Sequence, residues 1–128
     1  MRDKVRFFTW SEKGKIVAFS MCLIHQDAVF AEYVGFDYAV AFNLSLYHVA
    51  VRDMINWSIE RGYKWFRSSG LNYDPKFHMR HQLDPIDLYV RHTSPLINFF
   101  LSRFLPVLEP VRGDKILKMF PNYHELYK

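Results

Sequence analysis

Apolar and polar positions change their spacing several times along the chain, and each change marks an element. "VRFFTW" (5–10) and "KIVAFSMCLIHQ" (15–26) are rich in branched and aromatic residues. Between them "SEKG" carries Gly14, which supplies the positive φ of a tight turn, so the two runs predict a β-hairpin. "AVFAEYVGF" (28–36), set off by the polar Gln26 and Asp27, predicts a third strand and an antiparallel meander. After Gly35 the period lengthens: Tyr47, Ala50, Val51, Met54, Ile55 and Ile59 recur at three- and four-residue steps, while Arg52, Asp53, Asn56 and Glu60 fall elsewhere. This is the spacing of an amphipathic helix. Asn43 or Ser45 is placed to cap its start, and Gly62 suits the left-handed position beyond its end.

"YKWFRSS" (63–69) predicts the next strand. A strand, a helix and a strand on short connections imply a parallel βαβ crossover. From Gly70 the chain turns polar, with a short helix expected after Pro75. "IDLYVRH" (86–92) then alternates as a further strand, and "SPLINFFLSRFLPVL" (94–108) predicts a closing amphipathic helix, with Ser94 as N-cap and Pro106 as its interruption. The expected fold class is therefore α+β (mixed α/β): a meander, a crossover, a short helix, a further strand and a C-terminal helix. With no repeat or linker, residues 1–128 are expected to form a single domain.

Composition narrows the function. Half of the chain is hydrophobic and 18% is aromatic, which excludes a disordered tail. The net charge of +4 is spread rather than gathered into a stripe, so DNA is not an expected partner and anionic small molecules are. One cysteine, Cys22, makes no internal disulfide, and a reducing cytoplasm is the default location. No apolar run approaches the ~20 residues of a membrane span, and surface attachment through 94–108 ranks low because that helix is expected to be buried.

Candidate chemistry concentrates after the third strand. At the end of a strand that feeds a helix, free N–H groups and the positive helix end suit a pyrophosphate, although no Gly-x-Gly pattern marks the turn from Gly35 to Ser45. Glu32 is a carboxylate in an apolar strand. In a cleft, burial would tune it as a general base, and the alternative is a solvated sheet face. Lys76 follows the second crossover strand, where a cation can stabilise an oxyanion or stand as a solvated loop lysine. His78 and His81 are three apart but lack completing ligands, so no metal site is expected.

The hairpin "VRFFTWSEKGKIVAFSMCLI", the strand "AVFAEYVGF", the helix ending "MINWSIERG" and the strand "YKWFRSSG" together resemble the central and C-terminal part of the GNAT N-acyltransferase fold. The pattern "NYDPKFHMRHQLDPIDLYVRHTSPLINFF" is similar to the FemAB-like, peptidoglycan-bridge branch, with a lysine at Lys76. The resemblance spans about residues 5 to 105 and omits the first strand and first two helices of that fold. It implies an acyl-CoA cosubstrate, acetyl-CoA above all, and an amine, amino-sugar or peptide acceptor. Tyr33, Val34, Gly35 and Phe36, and the turn containing Ala41, Phe42 and Asn43, would hold the donor, together with Asn72. Glu32 and Lys76 would be catalytic, and Tyr73 would stand in for the tyrosine that protonates the leaving thiolate, since Met79 occupies its usual place. Some FemAB-like proteins take an aminoacyl-tRNA donor instead. The acidic Asp37 in the phosphate turn, Met79 and the missing elements also fit a catalytically silent module, paired as a homodimer or completed by an N-terminal region.

Overall fold

A computed structural model describes residues 4–70, 72–86, 89–108 and 110–127. The meander forms because both of its turns take the left-handed backbone that a two-residue hairpin needs. β1 (Val5–Glu12) and β2 (Lys15–His25) are joined through Lys13 (φ 49°) and Gly14 (φ 80°), which have the sense of a type I′ turn. β3 (Ala28–Phe36) pairs antiparallel with β2 after a second two-residue turn, in which Gln26 takes φ 53°. α1 (Tyr38–Ala41) is a single turn, and α2 (Leu46–Glu60) is the long crossover helix. β4 (Trp65–Ser68) then returns parallel to β3, giving a four-stranded sheet in the order β1-β2-β3-β4.

The stripe that α2 buries is Leu46, Ala50, Val51, Met54 and Ser58, against β2, β3 and β4. Ile59, expected on that stripe, is exposed, and Ser58 takes the inward place by donating its hydroxyl to Met54 O at 2.7 Å. Cys22, Val29 and Met54 form the tightest part of the core, with Cys22 Sγ 3.6 Å from Met54 Sδ. Burial pushes the Cys22 thiol up, which keeps it an inert packing group. Asp53 pins the helix from its flank: its carboxylate accepts from Trp10 Nε1 at 2.9 Å. The start of β4 is fixed by the second turn, where Asp27 O accepts from Lys64 N (2.8 Å) and Trp65 N (3.2 Å).

The chain divides into two compact units, residues 1–71 and 72–128. The second contains α3 (Tyr73–His78), α4 (Pro95–Leu108), α5 (Pro110–Gly113) and two 3₁₀ turns, Leu117–Met119 and Tyr123–Tyr127. Its small core joins Phe77 to Phe120, ring centroids 5.5 Å apart, beside buried Leu117. Asn122 ties in the polar segment by donating to Leu83 O (2.8 Å) and accepting from Leu83 N (3.1 Å).

Three expectations change here. The strand over 86–92 includes residues 87 and 88, which lie outside the described set. Its described residues hold no strand, and Ile86 and Tyr89 are exposed, so their apolar side chains find no sheet to cover. α4 runs past Pro106, which removes one backbone donor without ending the helix. Of its described apolar residues only Leu101 is half-buried; Leu96, Ile97, Phe99, Phe100, Phe104, Leu105 and Val107 are exposed, so the burial expected for this helix is absent. Among the described residues no helix is long and apolar enough to cross a membrane.

Candidate functional site

β3 behaves differently in its two halves. Ala28 to Ala31 lie between β2 and β4, each with a partner on both sides. Between Ala31, which faces Cys22, and Tyr33, which faces Met21, Glu32 is one residue in excess, a β-bulge. The β4 pairing stops at the same place, with Ala31 opposite Ser68. From Tyr33 to Phe36 the strand keeps β2 but has no strand partner on its other edge among the described residues.

The free edge presents particular backbone groups. Asp37 N donates to Val17 O on β2 at 2.8 Å. Strand alternation therefore turns the N–H groups of Gly35 and Tyr33 toward β2 and those of Val34 and Phe36 toward the edge that β4 has left. Ser20, fully buried, donates its hydroxyl to Tyr33 O at 2.9 Å and anchors the strand just after the bulge. A Cβ at Gly35 would run into the ring of Phe19 on the neighbouring strand, so that half-exposed ring must shift for any larger residue.

The expected site residues separate accordingly. Tyr33 (66% exposed) and Val34 border the open edge with accessible side chains. Phe36 and Ala41 turn theirs inward instead, against the cluster of Val17, Ala18 and Leu46, so they can serve a ligand only through backbone. Phe42 is 94% exposed and Asn43 is exposed as well. Glu32 is exposed, so of its two readings the solvated face holds and burial does not tune it: the bulge carries it out of the regular pleat.

Asp37, expected in the phosphate turn as a repelling charge, also caps α1, with Oδ1 accepting from Ala39 N at 3.0 Å. Ser45, not Asn43, takes the N-cap position of α2, in left-handed backbone (φ 49°) and without a side-chain capping bond.

Asn72, Tyr73 and Lys76 fall in the second unit. Asn72 precedes α3 in left-handed backbone (φ 57°). Pro75 lies inside the first turn of that helix, which starts earlier than expected. Lys76 is no solvated loop cation: it is 7% exposed, with Nζ 5.9 Å from the Tyr73 ring centre. Burial holds its pKa below the usual lysine value. His81, whose N–H donates to Lys76 O at 3.0 Å, has Nε2 buried without a hydrogen-bond partner among the described residues. Burial first, and the Lys76 charge second, hold the His81 pKa low. Among the described residues no group of histidines, cysteines and carboxylates is arranged to hold a metal ion.

The bulge was missed by sequence reasoning, since "FAEYV" gives no apolar alternation for an extra residue to interrupt. Its one signal is a lone carboxylate in that run. α1 did leave a signal, an aspartate ahead of Ala39 and Ala41, which matches a helix start.

The family model described as an acetyltransferase (GNAT) domain matches residues 1–76. No curated protein matches the chain, and no solved structure does.

Proposed function

The chain belongs to the acetyltransferase (GNAT) family, and we propose that it is an N-acyltransferase that passes an acyl group, acetyl first of all, from an acyl-CoA thioester to an amine by direct attack. The observation that carries this reading is the parting of β3 from β4 at the Glu32 bulge, which frees the edge from Tyr33 to Phe36. A pantetheine arm is a chain of amides, and amides pair with a free strand edge as another strand would. Val34 and Phe36 offer the outward N–H and C=O groups for that pairing, and the exposed side chains of Tyr33 and Val34 border it.

When bound, the thioester supplies an acyl carbonyl activated for attack. The Val34 N–H polarises that carbonyl as negative charge develops on its oxygen. Glu32, through water, takes the proton that the amine loses as its nitrogen bonds to the acyl carbon, and the carbon–sulfur bond then breaks to release the CoA thiolate, which takes a proton from solvent. The residues fit the neutral arm of the donor; toward its diphosphate they offer the start of α2, which Ser45 leaves without a side-chain cap, with the Asp37 carboxylate in the preceding turn opposing it.

The finer placement in the FemAB-like branch, with aminoacyl-tRNA as another donor, is supported only by the residue pattern of 72–100. A second reading, a silent module that pairs with a second copy, is favoured by the exposed apolar residues of α4. Isothermal titration of the full chain with acetyl-CoA separates the two. Micromolar binding that Val34→Pro abolishes supports the transferase, and an absence of heat supports the silent module. Turnover of acetyl-CoA with an amine, lost in Glu32→Gln while binding persists, tests the base.

A further inference from the structure

A hydroxyl in an apolar core is unfavourable unless its polar atoms find partners there, since they have left water. Among the described residues of the first unit the buried polar side chains are Ser20 and Ser58. Ser58 returns its proton to its own helix, at Met54 O. Ser20 reaches across the sheet instead. It sits mid-strand in β2 between Phe19 and Met21, and its hydroxyl donates to Tyr33 O on β3 at 2.9 Å, with Cys22 Sγ farther off at 3.9 Å.

The acceptor sets what this bond can do. Ser20 lies directly opposite Val34, and Tyr33 O belongs to the same peptide group as Val34 N. That peptide is trans, so its two polar groups point opposite ways: the carbonyl toward β2, the N–H toward the edge that β4 has left. Amide resonance couples them. A donor on the carbonyl oxygen draws electron density from nitrogen and strengthens the N–H of the same peptide as a hydrogen-bond donor. The bond also fixes the plane of this peptide just after the bulge, where the ladder is disrupted.

We infer that Ser20 is a positioning residue for acyl transfer: from the core side of the sheet it orients and polarises the Tyr33–Val34 peptide, so that Val34 N–H meets the developing oxyanion as a stronger donor. This rests on the transferase reading of the β3 edge, and it adds to that reading a residue that touches neither donor nor acceptor. As the amine nitrogen bonds to the acyl carbon, the carbonyl π pair moves onto oxygen, where Val34 N–H receives it. It returns when the carbon–sulfur bond breaks.

The test compares Ser20→Ala with Ser58→Ala, which removes the other buried hydroxyl and leaves the Tyr33–Val34 peptide untouched. One oxyanion donor is worth about a hundredfold or more in rate, and polarisation supplies roughly a tenth to a third of such a bond. Single-turnover acetyl transfer from acetyl-CoA, with glycinamide, lysine and glucosamine as amines, is therefore expected to slow about fourfold in Ser20→Ala, with acetyl-CoA affinity unchanged within about twofold. Ser58→Ala should change neither. Amide exchange of the free protein adds a readout that loosened packing cannot imitate. With the carbonyl less polarised, Val34 N–H is less acidic and its base-catalysed exchange should slow about twofold in Ser20→Ala, whereas a loosened strand exchanges faster. An unchanged transfer rate, or faster exchange at Val34, would overturn the inference and leave the transferase reading intact. Transfer to none of the three amines by the unsubstituted protein would overturn both.

Discussion

The two halves of β3 have nearly the same composition and opposite fates. Ala28–Ala31 is paired on both edges and holds the sheet together, whereas Tyr33–Phe36 is paired on one edge and left open on the other. A single extra residue, Glu32, divides them. The lesson is that a sheet acquires an open edge by parting two strands at a bulge, without any change in the character of the sequence. On the proposed reading stability belongs to the first half and recognition to the second, so substitutions on the two sides of Glu32 should move different observables.

The largest contrast comes from proline. Ala31→Pro removes a donor flanked by strands on both sides and is expected to cost on the order of 3 kcal/mol in urea unfolding. Val34→Pro removes an N–H that faces the open edge, where proline is tolerated, and should cost under about 1 kcal/mol. It should nevertheless abolish acyl-donor binding. Equal loss of stability in both variants would mean that the second half is paired too.

Glu32→Gln comes next. It keeps the bulge and removes the proton acceptor, so kcat should fall about 100-fold with donor affinity unchanged. Unaltered kcat would leave Glu32 a bulge residue alone.

Gly35→Ala has a smaller effect. The new methyl must displace the half-exposed Phe19 ring, at a cost of about 1 kcal/mol, and the cost should vanish in a Phe19→Ala background. Additive losses in the double variant would place the strain elsewhere.

The smallest effect lies outside the sheet and serves as a control. The folded state holds the His81 pKa below its ordinary value, so as pH falls the unfolded chain binds this proton first. The stability contributed by neutral His81 is present above the ordinary histidine value and is lost as pH drops through that value toward the lowered one. His81→Leu should flatten the slope of unfolding free energy between about pH 5 and 7, while leaving donor binding unchanged. A slope unchanged by the substitution would show that His81 is not its source.

Much of the first unit was legible because its signals are local. Gly14 and Gly62 stand at positive φ where the turn patterns put them, and the spacing from Tyr47 to Met54 marks a helix that does cross over to a parallel strand. Candidate site residues could be named from the sequence as positions but not as orientations. The segment Tyr33–Phe36 was expected to hold the donor, yet only the fold reveals that Phe36 packs inward while its backbone faces out. The second unit hid more. The segment from Gly70 to Pro85 is polar without period, so nothing in it announces that Lys76 is buried. The apolar residues of 94–108 do announce a helix, but a helical stripe states what wants burial and not whether burial is achieved.

The central claim is that the outward amides of the second half of β3 receive the donor. Amide hydrogen exchange of the ¹⁵N-labelled chain, with and without acetyl-CoA, reads them individually. The account predicts that Val34 and Phe36 exchange fast in the free protein and become protected on binding, while Val29 and Ala31 are protected throughout. Saturable binding that leaves Val34 and Phe36 unprotected, or protection of both before any ligand is added, would contradict it.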